Sequence, residues 1–257
     1  MNSSISAHLF LRFFTWLALV SLTGCYSAPP DSFETPGFNL PTWPKASATE
    51  TVQTIVHDES QVESLRLQGT LIILEPESRV RLHAIMLADR IGSNAPRVRL
   101  RASKLGNSVI DLVKIGSEAW IWMGDDRQLG PRAKASLTKT PPLHFSDYKR
   151  QLVQSTPDYF VFNVSWPGQT RPAKAWVHRR TRLLHRVVYA TGEEPVTLSL
   201  RYKSVDDQPR IDALRINAPG SRMITLVVET LENNPSLTDA HFEPLPESKH
   251  IKPRGKP

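Results

Sequence analysis

Leu65-Arg66-Leu67-Gln68-Gly69-Thr70-Leu71-Ile72-Ile73 sets Leu65, Leu67, Leu71 and Ile73 against Arg66, Gln68 and Thr70. Successive side chains of a strand leave opposite faces, so this period of two predicts a strand with one wet face. The residues before it obey another period. In 48–63, Val52, Ile55, Val56, Glu59 and Val62 recur at helical spacing, which predicts a helix. The chain changes from helix to strand near Ser64.

The period of two continues. After the turn Glu75-Pro76-Glu77-Ser78, Val80, Leu82, Ala84 and Met86 alternate with Arg79, Arg81 and His83. Arg97, Arg99 and Arg101 then alternate with Val98, Leu100 and Ala102. Strands at 108–115 and 118–123 flank the turn Gly116-Ser117, with Trp120 and Trp122 on one face. Pro141-Pro142 introduces 143–156, where Leu143, Tyr148, Leu152 and Val153 suggest a second helix that Pro157 stops. Six further strands are predicted at 158–166, 173–180, 183–191, 195–205, 210–218 and 222–231, separated by turn residues. Short connections between consecutive strands imply antiparallel pairing. The reading is mainly β, with about eleven strands and two helices. A sheet of that size must curl, since twist accumulates, and its apolar face becomes an interior that two amphipathic helices can cover.

The N-terminus has its own pattern. Residues 1–12 are mostly polar, with Arg12 and His8, and 13–22 is almost wholly apolar. That run is too short to span a bilayer, which needs roughly 20 apolar residues, and has the form of a signal-peptide core. Leu22-Thr23-Gly24-Cys25 resembles the lipobox of bacterial lipoproteins, and Cys25 is the single cysteine of the chain. This resemblance implies cleavage after residue 24 and acyl chains on the Cys25 thiol, which would hold the protein on a membrane. No disulfide within the chain is then available. Tyr26 after the cysteine points to the outer membrane, facing the periplasm, by the proteobacterial sorting rule. Residues 26–47 carry Pro29, Pro30, Pro36, Pro41 and Pro44, and read as an extended tether. One domain is expected over 48–246, followed by a basic, disordered tail at 247–257.

The formal charge is +7, and becomes +6 without 1–24, because Arg12 is the one charged residue there. A basic exported chain meets acidic partners such as lipid headgroups or wall polymers, and nucleic acid is not among them. No nucleophile elbow, His-Glu-x-x-His pair or Gly-rich phosphate loop occurs in the sequence. His178 and His185 at most face each other across a turn. The reading is therefore not an enzyme, with no cofactor and no metal.

Helix, five strands, helix and six strands, in that order, resemble the LolA/LolB-like fold of outer-membrane lipoprotein carriers. The phrases Ser64-Leu65-Arg66-Leu67-Gln68-Gly69 and Ile110-Asp111-Leu112-Val113-Lys114-Ile115-Gly116-Ser117-Glu118-Ala119-Trp120-Ile121-Trp122 are similar to the family's, as is Thr238-Asp239-Ala240-His241-Phe242-Glu243-Pro244-Leu245-Pro246. The resemblance implies an unclosed half-barrel under a helical lid, holding the acyl chains of a lipid or lipoprotein. Leu67, Leu71, Ile73, Leu82, Met86, Leu100, Trp120, Trp122, Leu198 and Leu200 are then the cavity candidates, and Leu143, Phe145, Tyr148, Leu152 and Val153 the lid. Arg79, Arg81, Arg97, Arg99 and Arg101 are candidates for phosphate-bearing headgroups, which suit the Arg fork. The same ladders fit a solvated outer face that resists edge pairing, and the tryptophans fit a packed core. A lipid sensor acting on an unknown protein partner and a filled, ligand-free scaffold are the alternatives to a carrier.

Overall fold

The computed structural model describes residues 46–91, 95–124, 148–165, 171–189, 195–218 and 221–251, together with Phe33, Leu40 and Thr42. The expected signal segment, Cys25, most of the expected tether and the end of the expected tail lie outside the described residues.

Helix α1 (Ala48–Ser60) begins where Ser47 caps it. The Ser47 hydroxyl accepts from the Glu50 N–H at 3.2 Å, and the Glu50 carboxylate accepts from the Ser47 N–H at 2.7 Å. This reciprocal pair satisfies two amides that the first turn leaves open. The helix ends three residues earlier than its apolar spacing suggests. The side chain of Asn234 holds the turn that follows: its oxygen accepts from the Glu63 N–H at 2.8 Å, and its amide donates to the Gln61 carbonyl at 2.9 Å.

Among the described residues thirteen strands follow in one sheet. They are β1 (Ser64–Glu75), β2 (Ser78–Asp89), β3 (Arg97–Lys104), β4 (Asn107–Ile115), β5 (Glu118–Met123), β6 (Lys149–Ser155), β7 (Tyr159–Ser165), β8 (Ala173–His178), β9 (Leu184–Tyr189), β10 (Val196–Val205), β11 (Gln208–Ala218), β12 (Arg222–Asn233) and β13 (Lys249–Ile251). The order across the sheet is β13-β5-β4-β3-β2-β1-β12-β11-β10-β9-β8-β7-β6, antiparallel throughout. Its two edge strands, β13 and β6, do not pair, so the sheet is unclosed. One apolar cluster runs along a single face from Ile251 of β13 to Phe162 of β7, and a sheet of this many strands curls as its twist accumulates. Ile55 of α1 lies in the same cluster, with Ala48, Val52 and Val56 packed against it. The helix therefore sits on the concave side.

Two strands go beyond the eleven that periodicity predicts. The expected helix at 143–156 is in part a strand: 149–155 form β6, which pairs with β7 from Lys149 opposite Ser165 to Ser155 opposite Phe160. Tyr148 and Leu152 stand four apart, as on a helix, but the bare edge of β7 offers six residues of backbone pairing, which wins over spacing alone. Residues 143–147 lie outside the described residues. The expected tail also contributes structure, because Lys249–Ile251 pair with β5.

The seam between the two halves is β1 against β12, and Gly69 sits at its irregularity. A Cβ at Gly69 would lie 2.1 Å from the Val227 carbonyl oxygen, so only glycine allows this approach.

Candidate functional site

The concave face is apolar because each strand turns one parity inward. Leu67 and Leu71 of β1 stand opposite Met86 and Leu82 of β2, and Leu100 of β3 stands between Met86 and Leu112. Leu198 and Leu200 of β10 stand opposite Ile216 and Leu214. All these side chains are buried in the one cluster, and Ile73 packs against it, half-buried. Between them lie Ala84, Ala88, Ala102, Ala119, Ala173 and Ala175, also buried. Small residues thus lie among the leucines of the wall that α1 partly covers.

Trp120 and Trp122 are not part of this face. Ala119 lies in the concave cluster with Ile121 and Met123 against it, so the tryptophans, of opposite parity, point outward. Trp120 packs on a second cluster of Leu87, Val113 and Phe242. Its ring stacks on His250, with centroids 4.7 Å apart and planes 6° from parallel. The lid candidates separate as well. Leu143 and Phe145 lie outside the described residues, Tyr148 is buried in the concave cluster, and Leu152 and Val153 are exposed on the edge strand β6. No lid face is formed by the last two.

The Arg candidates share the convex face, but they have different work. Arg97 bridges Asp89 and Asp239, and its guanidinium lies 4.5 Å from the centroid of the Phe242 ring. Burial would lower the Arg97 pKa, yet the hydrogen bonds to Asp89 and Asp239 outweigh it and hold the group above its ordinary value. Arg99 grips the buried Asp111 with bonds of 3.0 and 2.6 Å and donates to the His241 carbonyl at 3.0 Å. Arg101 reaches the same carboxylate at 2.9 Å. Arg97 and Arg99 thus clamp the segment 235–248, which crosses the outside of β3 and delivers β13 to the sheet edge. They are buried and engaged, and do not form a free headgroup ladder. Arg79 and Arg81 are exposed.

Two features escaped the sequence reading. Lys114 lies on the concave side, in register with Val98 and Ala119, and is 5% exposed. Burial lowers its pKa to about 7, because an ammonium in an apolar wall loses hydration. The alternation Ile110, Leu112, Lys114 was the signal that could have found it. The second is a ring cluster. His178 and His185 lie 5.5 Å apart between centroids, with Tyr159 5.2 and 5.9 Å from them and Tyr202 5.6 Å from His185. The Tyr202 hydroxyl donates to the Leu184 carbonyl at 2.7 Å. Burial lowers the His178 pKa, helped by Arg180 and opposed by Asp158. Among the described residues no group of three His, Cys, Asp or Glu could hold a metal.

Among the described residues of the expected tether, Phe33, Leu40, Thr42 and Ala46 join Ser47 in touching the domain or adjoining α1. Phe33 is buried on the convex face, with the Arg215 and Arg201 guanidinium groups 4.2 and 5.1 Å from its ring centroid. Leu40 joins the concave cluster, Ala46 is buried, and Thr42 accepts from Arg180 at 3.3 Å.

An unclosed antiparallel sheet with a helix packed on one face, as the described residues form, is the half-barrel architecture of LolA-like proteins. Solved structures agree. The chain is similar to a LolA superfamily protein from Nitrosomonas europaea, with a TM-score of 0.54 and 13% identity over 74% of this chain and 96% of that one. It is similar to a DUF1329 family protein from Desulfovibrio piger, with a TM-score of 0.57 and 13% identity over 76% and 94%. A Vibrio parahaemolyticus domain described as an outer membrane lipoprotein-sorting protein matches with a TM-score of 0.56 and 10% identity over 75% and 94%. No family model and no curated protein sequence matches the chain. The shared property is the fold.

Proposed function

We propose that this chain is a lipoprotein of the cell envelope, held by acyl chains on Cys25 at the periplasmic side of the outer membrane, that binds the acyl chains of a lipid or lipoprotein on its concave face. The supporting observation is that face: apolar from β13 to β7 apart from Lys114, set with alanines between leucines, and partly covered by α1. Binding is burial of hydrocarbon, about 0.8 kcal/mol per methylene. Release requires a competing acceptor, since ligand and helix use the same wall. No reaction is assigned to the chain, and no cofactor or nucleic acid is needed.

A filled scaffold is the second reading, and it is favoured by the near-complete burial of Leu67, Leu71 and Leu198, each 0% exposed. A fluorescent fatty-acid probe separates the two. The carrier binds the probe, carries lipid when purified from its own envelope, and loses binding in a still-folded Leu82→Glu variant, at a cost of about 1–3 kcal/mol in stability. A parent that binds no probe and carries no lipid in native mass spectrometry, with an unfolded Leu82→Glu variant, is the scaffold. The anchor is tested separately: Cys25→Ala should abolish labelling by a fatty-acid analogue, and unchanged labelling overturns it.

A further inference from the structure

We infer that the convex face of β8–β11 docks on the anionic phospholipid headgroups of the membrane that holds Cys25. The inference rests on the reading of Cys25 as the anchor. Phe33 is fixed on this face between Arg201 and Arg215, and it follows Cys25 by eight residues. An extended chain of that length reaches at most about 28 Å. The point of attachment therefore lies within that reach of the convex side of the second half of the sheet.

The charge of the face suits that position. Inward parity on β8–β11 belongs to residues such as Ala173, Ala175, Val187, Leu198 and Leu214, which lie in the concave cluster. Lys174, Arg186, Arg201, Lys203, Arg210 and Arg215 have the outward parity, and Lys174, Lys203 and Arg210 are exposed. These four strands contain one carboxylate, Asp212, which Arg201 and Lys203 share at 2.7 and 3.6 Å. The net excess of cations is large for one face of a sheet, and the tether brings it within reach of phosphate groups. Each basic residue near an anionic surface strengthens binding by about fivefold, an effect that salt screens beyond about 8 Å.

The test uses the full lipidated chain, in which Cys25 is acylated and an introduced thiol is free for labelling. Lys203→Cys places a fluorophore on the inferred face, and Arg79→Cys places it on the convex side of β2. Each protein is reconstituted in vesicles of phosphatidylcholine, alone or mixed with phosphatidylglycerol, with a nitroxide quencher on the headgroups. Quenching at position 203 should exceed that at 79 in the anionic vesicles, and salt or Arg210→Glu should remove the excess. Equal quenching at both positions, or the same quenching at 203 with and without phosphatidylglycerol, overturns the docking face while leaving the anchor intact. Self-quenching between labels at 203 that ignores lipid charge assigns the face to a second copy and overturns it too. A chain that fails to float with vesicles overturns the anchor, and the docking geometry with it.

Discussion

The side-chain oxygen of Asn234 accepts from the Glu63 N–H at 2.8 Å, across 171 residues of sequence. It also lies 3.3 Å from the Ser64 amide, and Asn234 itself has φ 54, in the left-handed region that asparagine tolerates. One side chain thus joins the end of α1, the start of β1 and the end of β12. Asn234→Ala should destabilise by about 2–4 kcal/mol, from lost hydrogen bonds and the cost of positive φ. Asn234→Gly removes only the bonds, so its urea midpoint should fall between alanine and wild type. Equal midpoints for all three proteins would refute the clamp.

Gly69→Ala tests the seam. Its methyl would meet the Val227 carbonyl, backbone against which no side chain can yield. A loss of about 3 kcal/mol or more is expected, with amide exchange accelerated first along β1 and β12. A variant with wild-type exchange on those strands shows that the approach is looser than described.

Asp111 is 1% exposed and serves both Arg99 and Arg101. Removing it leaves buried guanidinium charge without its partner, so Asp111→Ala should cost about 3–5 kcal/mol. Replacing Arg101, half-exposed, should cost far less. The order of the two thermal midpoints is the measurement, and its inversion counts against a buried pair.

Lys114 gives stability a pH dependence of definite sign. Its folded pKa, about 7, lies below the ordinary 10.5, so the unfolded chain binds more protons between those values. Stability from this group is lowest below pH 7 and rises as pH climbs toward 10.5. Lys114→Met should flatten that rise. Denaturant titrations between pH 6.5 and 10 that give parallel profiles for both proteins would exclude the effect.

Asp239 acts in the same direction, at the acid end of the scale. Its hydrogen bond and charge attraction to Arg97 lower its pKa from 3.8, so its contribution is present above that value and fades as pH falls through the folded one. Asp239→Asn should loosen the segment 235–248 at neutral pH, read as faster proteolysis there. Unchanged cleavage would place the hold on Arg99 and Phe242 instead.

The strands that alternate cleanly were legible from the chain alone. Arg79 to Met86 and Arg97 to Ala102 mark their convex and concave sides without ambiguity, and both are strands. Trp120 and Trp122 were not legible, because Ala119, Ile121 and Met123 are apolar too and local parity is silent when both faces are covered. What covers the outer one is Phe242, far along the sequence. The same distance hid the partners of Arg97 and Arg99, since Asp239 and His241 lie 142 residues away. β13 has three residues and no period to read. β6 was misread because its few apolar residues happen to stand at helical spacing.

The pairing of β1 with β12 also sets a timetable. A chain that emerges N-terminus first, from a ribosome or a membrane pore, presents β1 and β2 long before β12 exists. Until then one edge of β1 is bare, Asn234 has not arrived to fasten Glu63, and β5 still waits for Lys249–Ile251. Local hairpins form early, but the closing contacts come last and carry the loop-closure entropy of most of the domain. The fold therefore resists completion during synthesis, and a chain in transit stays slack enough to thread.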